Sequence, residues 1–139
     1  MKILVDTNVL MDYLVGRKPY FEDADRVIKL CIDCKIEGYM AAHSITDMFY
    51  ILRKDYKEPG VRRIMIKSLF DILDISGIAK DILLNALNRE SFEDFEDCVQ
   101  DECADSCGAD YIVTRNTKDF ENSKIRAIAP DEFLKLIEK

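Results

Sequence analysis

Apolar positions first appear as a short unbroken run, Ile3-Leu4-Val5, that stops on Asp6. A run this short, bounded by polar residues, is the pattern of a strand buried on both faces. The spacing then becomes helical over Val9 to Val15, ending near Gly16 and Pro19. Between Phe21 and Glu37, the residues Ala24, Val27, Ile28, Cys31, Ile32 and Ile36 form one apolar stripe. That stripe predicts a longer helix, with Gly38 in the usual closing position. Tyr39 to Ala42 predicts a second strand. Ser44 opens another helix, with Asp47 three residues on in the manner of a capping box, and Ile45, Met48, Phe49 and Leu52 turned inward.

After a loop over Lys57 to Gly60, a helix is predicted from Val61 to Leu73 with Ile64, Met65, Leu69 and Ile72 inward and Asp74-Ile75 as a short extension. Ile78 to Leu87 and Asp94 to Cys107 read as two further helices, the second ending at Gly108. Asp110 to Thr114 is the clearest later strand and Arg126 to Ala129 another, and Pro130 opens a final amphipathic helix through Phe133, Leu134 and Ile137. Strands alternating with helices imply parallel pairing. The expected fold is therefore α/β, a single domain over residues 1–139 with no internal repeat or linker.

In an open parallel sheet, ligands gather beyond the carboxyl ends of the strands. Asp6 stands at such an end, with Thr7 and Asn8 beside it. Alone, an Asp there reads first as a helix cap. Other acids recur at element boundaries, notably Asp47 and Asp119. From Glu90 to Asp105 there are eight acids and no Lys or Arg. On a helix at about 100° per residue, Asp94, Asp97, Asp101 and Asp105 share an arc of about 80°. For Asp101 and Asp105 a solvated acidic face is the expectation. Asp97, flanked by Phe95, Cys98 and Val99, lies near the apolar boundary and can face the sheet edge that carries Asp6. Carboxylates converging without His or Cys partners suit a hard, oxygen-seeking ion such as Mg²⁺ or Mn²⁺.

Composition narrows the function classes. The chain is 48% hydrophobic and 34% charged, with a formal charge of −7. That sign argues against non-specific coating of nucleic acid, whose affinity comes from neutralising phosphates. It leaves room for an enzyme that meets nucleic acid through a local basic patch. No apolar run reaches the roughly 20 residues of a membrane span, and the N-terminal run, broken at Asp6, does not fit a signal peptide. Five cysteines, an odd number, suggest reduced thiols and a cytoplasmic protein. Cys31-Ile-Asp-Cys34 is a CxxC, but Cys31 lies on the apolar stripe and Cys98, Cys103 and Cys107 supply no ribbon-like partner pair, so buried thiols are expected rather than zinc. His43, the only histidine, supports no His-based nucleophile system and is expected as a polar neighbour at a strand end. Arg53, Lys54, Lys57, Arg62, Arg63 and Lys67 form a basic segment, which reads as a solvated face or as a backbone track for RNA joined by Arg115 and Lys118.

Three stretches together carry a resemblance: Ile-Leu-Val-Asp6-Thr7-Asn8-Val-Leu, Asp94-Phe-Glu-Asp97, and Tyr-Ile-Val-Thr114-Arg115-Asn116-Thr-Lys-Asp119-Phe120. In this order and at these separations they resemble the PIN-domain family, above all its small bacterial single-domain members related to VapC-type toxin ribonucleases. The resemblance covers nearly the whole chain and implies a three-layer α/β/α sandwich around a parallel sheet of four to five strands. It also implies RNA hydrolysis with Mg²⁺ or Mn²⁺. Carried over residue by residue, Asp6 is the central metal ligand, Asp97 the ligand borne on a helix, and Asp119 an acid that binds a second metal or orients water. Thr114 and Asn116 line the same pocket, with Thr7, Asn8 and Asp94 as neighbours. Where the family usually offers a Glu, this chain has Asp47, one methylene shorter. The resemblance further implies a homodimer and a small antitoxin partner. Two other readings stand beside it: a catalytically weak PIN-fold module that binds RNA or protein, and a phosphoryl-accepting receiver-like domain. The receiver reading expects a paired acid run after the first strand, which Asp6-Thr7-Asn8 lacks.

Overall fold

The computed structural model describes residues 1–138. In chain order it comprises β1 (Lys2–Val5), α1 (Thr7–Val15), α2 (Phe21–Ile32), β2 (Glu37–Ala41), α3 (Ala42–Ile51), α4 (Pro59–Phe70), β3 (Asp74–Ser76), α5 (Lys80–Leu87), α6 (Phe95–Ser106), β4 (Tyr111–Val113), β5 (Ala127–Ile128) and α7 (Pro130–Ile137). The five strands form one sheet in the order β3-β2-β1-β4-β5, with every neighbouring pair parallel. Successive side chains of β1 alternate between faces, as a strand requires. Ile3 and Val5 pack with residues of α1, α2, α3, α4 and α7, whereas Leu4 packs with α5 and α6. The fold is thus the three-layer α/β/α sandwich, and among the described residues no helix is long and apolar enough to cross a membrane.

Strand order places the functional edge. From the central strand β1 the chain steps first to β2 and β3 on one side, then to β4 and β5 on the other. The carboxyl ends of β1 and β4 lie side by side at this reversal, where an open sheet forms a crevice. The Asp6 N–H donates to the Val113 carbonyl at 3.0 Å, and the Thr114 N–H donates to that of Ile128 at 3.0 Å. Asp6 and Thr114 are therefore held by main-chain bonds at the mouth of that crevice.

Several local expectations need correction. Helix α2 ends at Ile32, which is 49% exposed, rather than running to Glu37. Gly38 lies inside β2, not at a helix end. A Cβ at Gly38 would come within 2.7 Å of the Cys31 sulfur, so glycine serves close packing of strand against helix here. Helix α3 begins at Ala42, and Ser44 is buried within it rather than capping it. Ile64 is 70% exposed, because the inward positions of α4 are Arg62, Ile66 and Leu69. Asp74-Ile75 belongs to an edge strand rather than to a helical extension. Cys31, Cys98 and Cys103 are buried as expected, but Cys34 is exposed and Cys107 half-buried, and all five are free. Burial pushes the Cys31 thiol up to about 12 and that of Cys103 to about 11, which leaves both protonated and unreactive.

The acidic run divides by environment. Asp94 caps α6, accepting from the Asp97 N–H at 3.0 Å. Asp101, expected in solvent, is fully buried: it accepts from the Lys124 and Ile125 N–H groups at 2.8 and 3.1 Å and pairs with Arg89 at 2.7 Å. Glu102 is buried beside it, paired with Arg89 at 2.7 Å and Lys124 at 2.9 Å. Spacing alone could not show this, because both bases come from other segments. Asp105 stays exposed as expected.

Candidate active site

Asp6 is 6% exposed, and both carboxylate oxygens are engaged. Oδ1 accepts from the Thr7 N–H at 2.7 Å and from Gln100 Nε2 at 2.8 Å, and Oδ2 accepts from the Thr114 hydroxyl at 2.7 Å. Burial pushes its carboxyl up, against the lowering effect of the Thr114 and Thr7 bonds, and the charge of Asp119 raises it further. Arg115 pulls the other way through its charge. Three donors thus fix the orientation of the carboxylate, while Oδ2, with a single donor, retains acceptor capacity.

Asp97 enters from the first turn of α6. Burial and then the charges of Asp94, Asp6 and Asp119 push its carboxyl up to about 7. Asp119 lies in the helical turn Thr117–Phe120 that follows β4. Asp97 therefore feels the charges of Asp6 and Asp119, and Asp6 that of Asp119, although Asp119 lines the neighbouring cavity rather than the cleft shared by Asp6 and Asp97. Asp6, Thr7, Asn8, Asp47, Asp97, Gln100 and Asn116 line one cleft of about 420 Å³. No Lys or Arg forms an ion pair with Asp6, Asp47, Asp97 or Asp119 among the described residues. Converging acids without a protein cation are the donor set of a hard divalent ion, so the residues present fit Mg²⁺ or Mn²⁺.

A family model for the PIN domain matches residues 2–118. The chain belongs to the PIN-domain family. Solved structures share its fold at low identity. DNA-bound VapBC from Salmonella typhimurium matches with a TM-score of 0.70 at 18% identity, covering 94% of this chain and 98% of that one. A toxin–antitoxin complex from Klebsiella pneumoniae gives 0.67 at 20% identity, with 92% and 97% covered. VapC20 of Mycobacterium tuberculosis, described as a sarcin-ricin loop cleaving toxin, gives 0.61 at 14% identity, with 79% and 86% covered. No curated protein matches the chain by sequence.

In this PIN domain the remaining expected residues sort into distinct roles. The Thr7 hydroxyl lies 2.8 Å from that of Ser44. Asn8 reaches Thr114 Oγ1 and the Arg115 N–H at 3.5 Å each, which are loose contacts. Thr114 is fully buried, and its hydroxyl also accepts from the Asn116 N–H at 3.1 Å. Asp94 lines a neighbouring cavity of about 500 Å³ together with Lys118 and Asp119. Asp47 lines the main cleft on α3, but it faces Glu96 rather than the Asp6 carboxylate.

The basic track is thinner than expected. Arg62 is 9% exposed, donates to the Phe49 carbonyl at 3.0 Å and stacks on the Phe49 ring, so it is not available to a phosphate. Arg115 grips the buried Asp12 through Nε at 2.7 Å and Nη2 at 3.2 Å. Arg53, Lys54, Arg63 and Lys118 remain exposed. Residues missed from sequence also line the cleft, among them Arg17, Tyr50, Glu96 and Gln100. Gln100 stands three residues after Asp97, so helical spacing placed it on the right face. An amide among acids carries no signal of its own in the sequence.

The raised carboxyls have a measurable consequence. A carboxyl held above its unfolded value contributes stability when protonated, fully so below about pH 4, and loses it as pH rises through the folded value. For Asp97 that value is about 7. The melting temperature of metal-free Asp97→Asn, relative to wild type, is therefore expected to climb as pH rises from about 4 to about 7. Thermal melts of both proteins across this range check it, and a constant difference would refute the assignment.

Proposed function

We propose that this PIN domain is a divalent-cation-dependent endoribonuclease that hydrolyses RNA phosphodiester bonds, and that it is the toxin of a type II toxin–antitoxin pair. The observation that carries the reading is the approach of Asp6, Asp97 and Asp119 at the sheet reversal with no Lys or Arg ion-paired to any of them among the described residues. A bound Mg²⁺ or Mn²⁺ would neutralise charge building on the phosphate and make water more acidic. Asp6, fixed by Thr7, Thr114 and Gln100, and Asp97 are the residues that would hold it. Asp119, more exposed at the mouth, would orient the attacking water and accept its proton. Attack on phosphorus in line with the bond to the 3′ oxygen breaks that bond, and the leaving oxygen takes a proton from solvent, giving 5′-phosphate and 3′-hydroxyl ends. No enzyme group becomes covalently attached. Tyr50, 64% exposed at the cleft and carrying Arg53 over its ring at 3.9 Å, offers a stacking surface for an RNA base. Arg17, Arg63, Lys54 and Lys118 supply the basic flank.

The toxin assignment draws on the family and on fold neighbours described as VapBC or toxin–antitoxin complexes. A small antitoxin partner, a homodimer and a cytoplasmic setting belong to the same reading. Induced expression in a bacterial host tests it. Wild type is expected to arrest growth, and Asp6→Ala at equal soluble level is expected not to. Arrest by both would remove the site from the explanation, and arrest by neither would remove the toxin. The turn of Asp47 toward Glu96 favours a second reading, a weakened site that binds RNA without cutting it. Salt-sensitive RNA binding without cleavage at saturating Mn²⁺ would mark that case.

A further inference from the structure

His43 and Asp47 stand four residues apart on α3, so they share one helix face. Glu96 approaches them from the first turn of α6. One ligand atom from each of the three lies within 4.8 Å of the others, and His43 Nε2 is 4.0 Å from Glu96 Oε1. Ligand atoms about 3.4 Å apart surround a tetrahedral ion held by bonds of about 2.1 Å, so a modest closure completes the geometry.

A second, independent observation concerns missing partners. Both His43 ring nitrogens and Asp47 Oδ2 are buried without a hydrogen-bond partner. Gln100, 2% exposed and lining the same cleft as Asp47 and Glu96, spends Nε2 on Asp6 and leaves Oε1 without a donor. Orphaned buried groups are rare in a finished fold and ask for an explanation. An ordinary His–Glu ion pair does not provide one, because burial lowers the His43 pKa and favours the neutral ring. That neutral ring retains a lone pair for a ligand.

We propose that His43, Asp47 and Glu96 form a second cation position at the edge of the cleft, one that takes a first-row transition ion such as Zn²⁺ or Co²⁺ in preference to Mg²⁺. Imidazole nitrogen supplies the preference, since Mg²⁺ favours an all-oxygen shell. An ion there ties α3 to α6 across the cleft and gives Asp47 a task that does not require it to reach Asp6. The position lies in the same cleft as Asp6 and Asp97 but takes no ligand from them, and stands whether or not they cut RNA.

Calorimetric Zn²⁺ titration of the metal-free full-length protein in excess Mg²⁺, with Co²⁺ absorption as the spectroscopic counterpart, tests the position without any activity readout. Wild type is expected to bind one Zn²⁺ per chain. His43→Gln and Glu96→Gln are each expected to weaken that binding by at least about tenfold, while Asp6→Asn leaves it unchanged. Glu96 is more than half exposed, so its variant remains informative if His43→Gln fails to fold. No Zn²⁺ binding in excess Mg²⁺, binding indifferent to Glu96→Gln, or binding lost with Asp6→Asn would each overturn the proposal.

Discussion

Asp6→Asn is expected to lower metal-dependent RNA cleavage by at least about 10³-fold while leaving the fold intact. The substitution is nearly isosteric. Its Oδ1 still accepts from the Thr7 N–H and from Gln100 Nε2, as in wild type. Its Nδ2 replaces the oxygen that accepts from Thr114 and so loses a charge-assisted bond, worth about 1.5–3 kcal/mol. Against that loss, a buried negative charge is removed from the neighbourhood of Asp119. The two effects oppose each other, and metal-free stability is expected within about 1 kcal/mol of wild type. Added Mn²⁺ should raise the melting temperature of wild type and not that of the variant, because only an ion bound to the native state stabilises it. Cleavage and melting measured on the same preparations separate loss of the site from loss of the fold. Cleavage within tenfold of wild type would contradict the central place given to Asp6.

The largest stability effect is expected far from the chemistry. Asp101→Ala removes a carboxylate that is 0% exposed and leaves Arg89, whose side chain is 17% exposed, together with the Lys124 and Ile125 N–H groups, short of an acceptor. Breaking a buried charged network from one side costs about 3–5 kcal/mol. For a chain of this size that corresponds to a fall of about 10–20 °C in melting temperature. Asp105→Ala, one turn on and 52% exposed, should cost under about 0.5 kcal/mol. RNA cleavage per folded molecule is expected to be unchanged in both. Equal melting temperatures for the two variants would show that Asp101 is solvated after all.

That contrast shows where sequence stops being readable. Runs such as Ile3-Leu4-Val5 and Tyr111-Ile112-Val113 announce buried parallel strands, and the helical stripes fix which faces pack against them. The α/β/α architecture and the gathering of Asp6, Asp97 and Asp119 follow from that pattern and the resemblance. Partners from distant segments do not. Asp101 and Asp105 are indistinguishable by spacing, and only Arg89 and the main chain at Lys124 and Ile125 make one of them buried. Arg62 looks like part of a basic surface until Phe49 is seen to cover it. Asp47, which the resemblance led one to expect beside the central carboxylate, meets Glu96 and His43. Gly38 has the appearance of a helix stop because the sequence does not show that the Cys31 side chain passes over it.

The most direct test of the cleft as a cation-dependent nuclease site is an end-mapped RNA cleavage assay with purified wild type and Asp97→Asn, each with Mn²⁺ and with chelator. Wild type with Mn²⁺ is expected to cut, leaving 5′-phosphate and 3′-hydroxyl ends, while the variant with Mn²⁺ and both proteins in chelator leave the RNA intact. Equal cutting by Asp97→Asn, undiminished cutting in chelator, or 2′,3′-cyclic phosphate ends would contradict it.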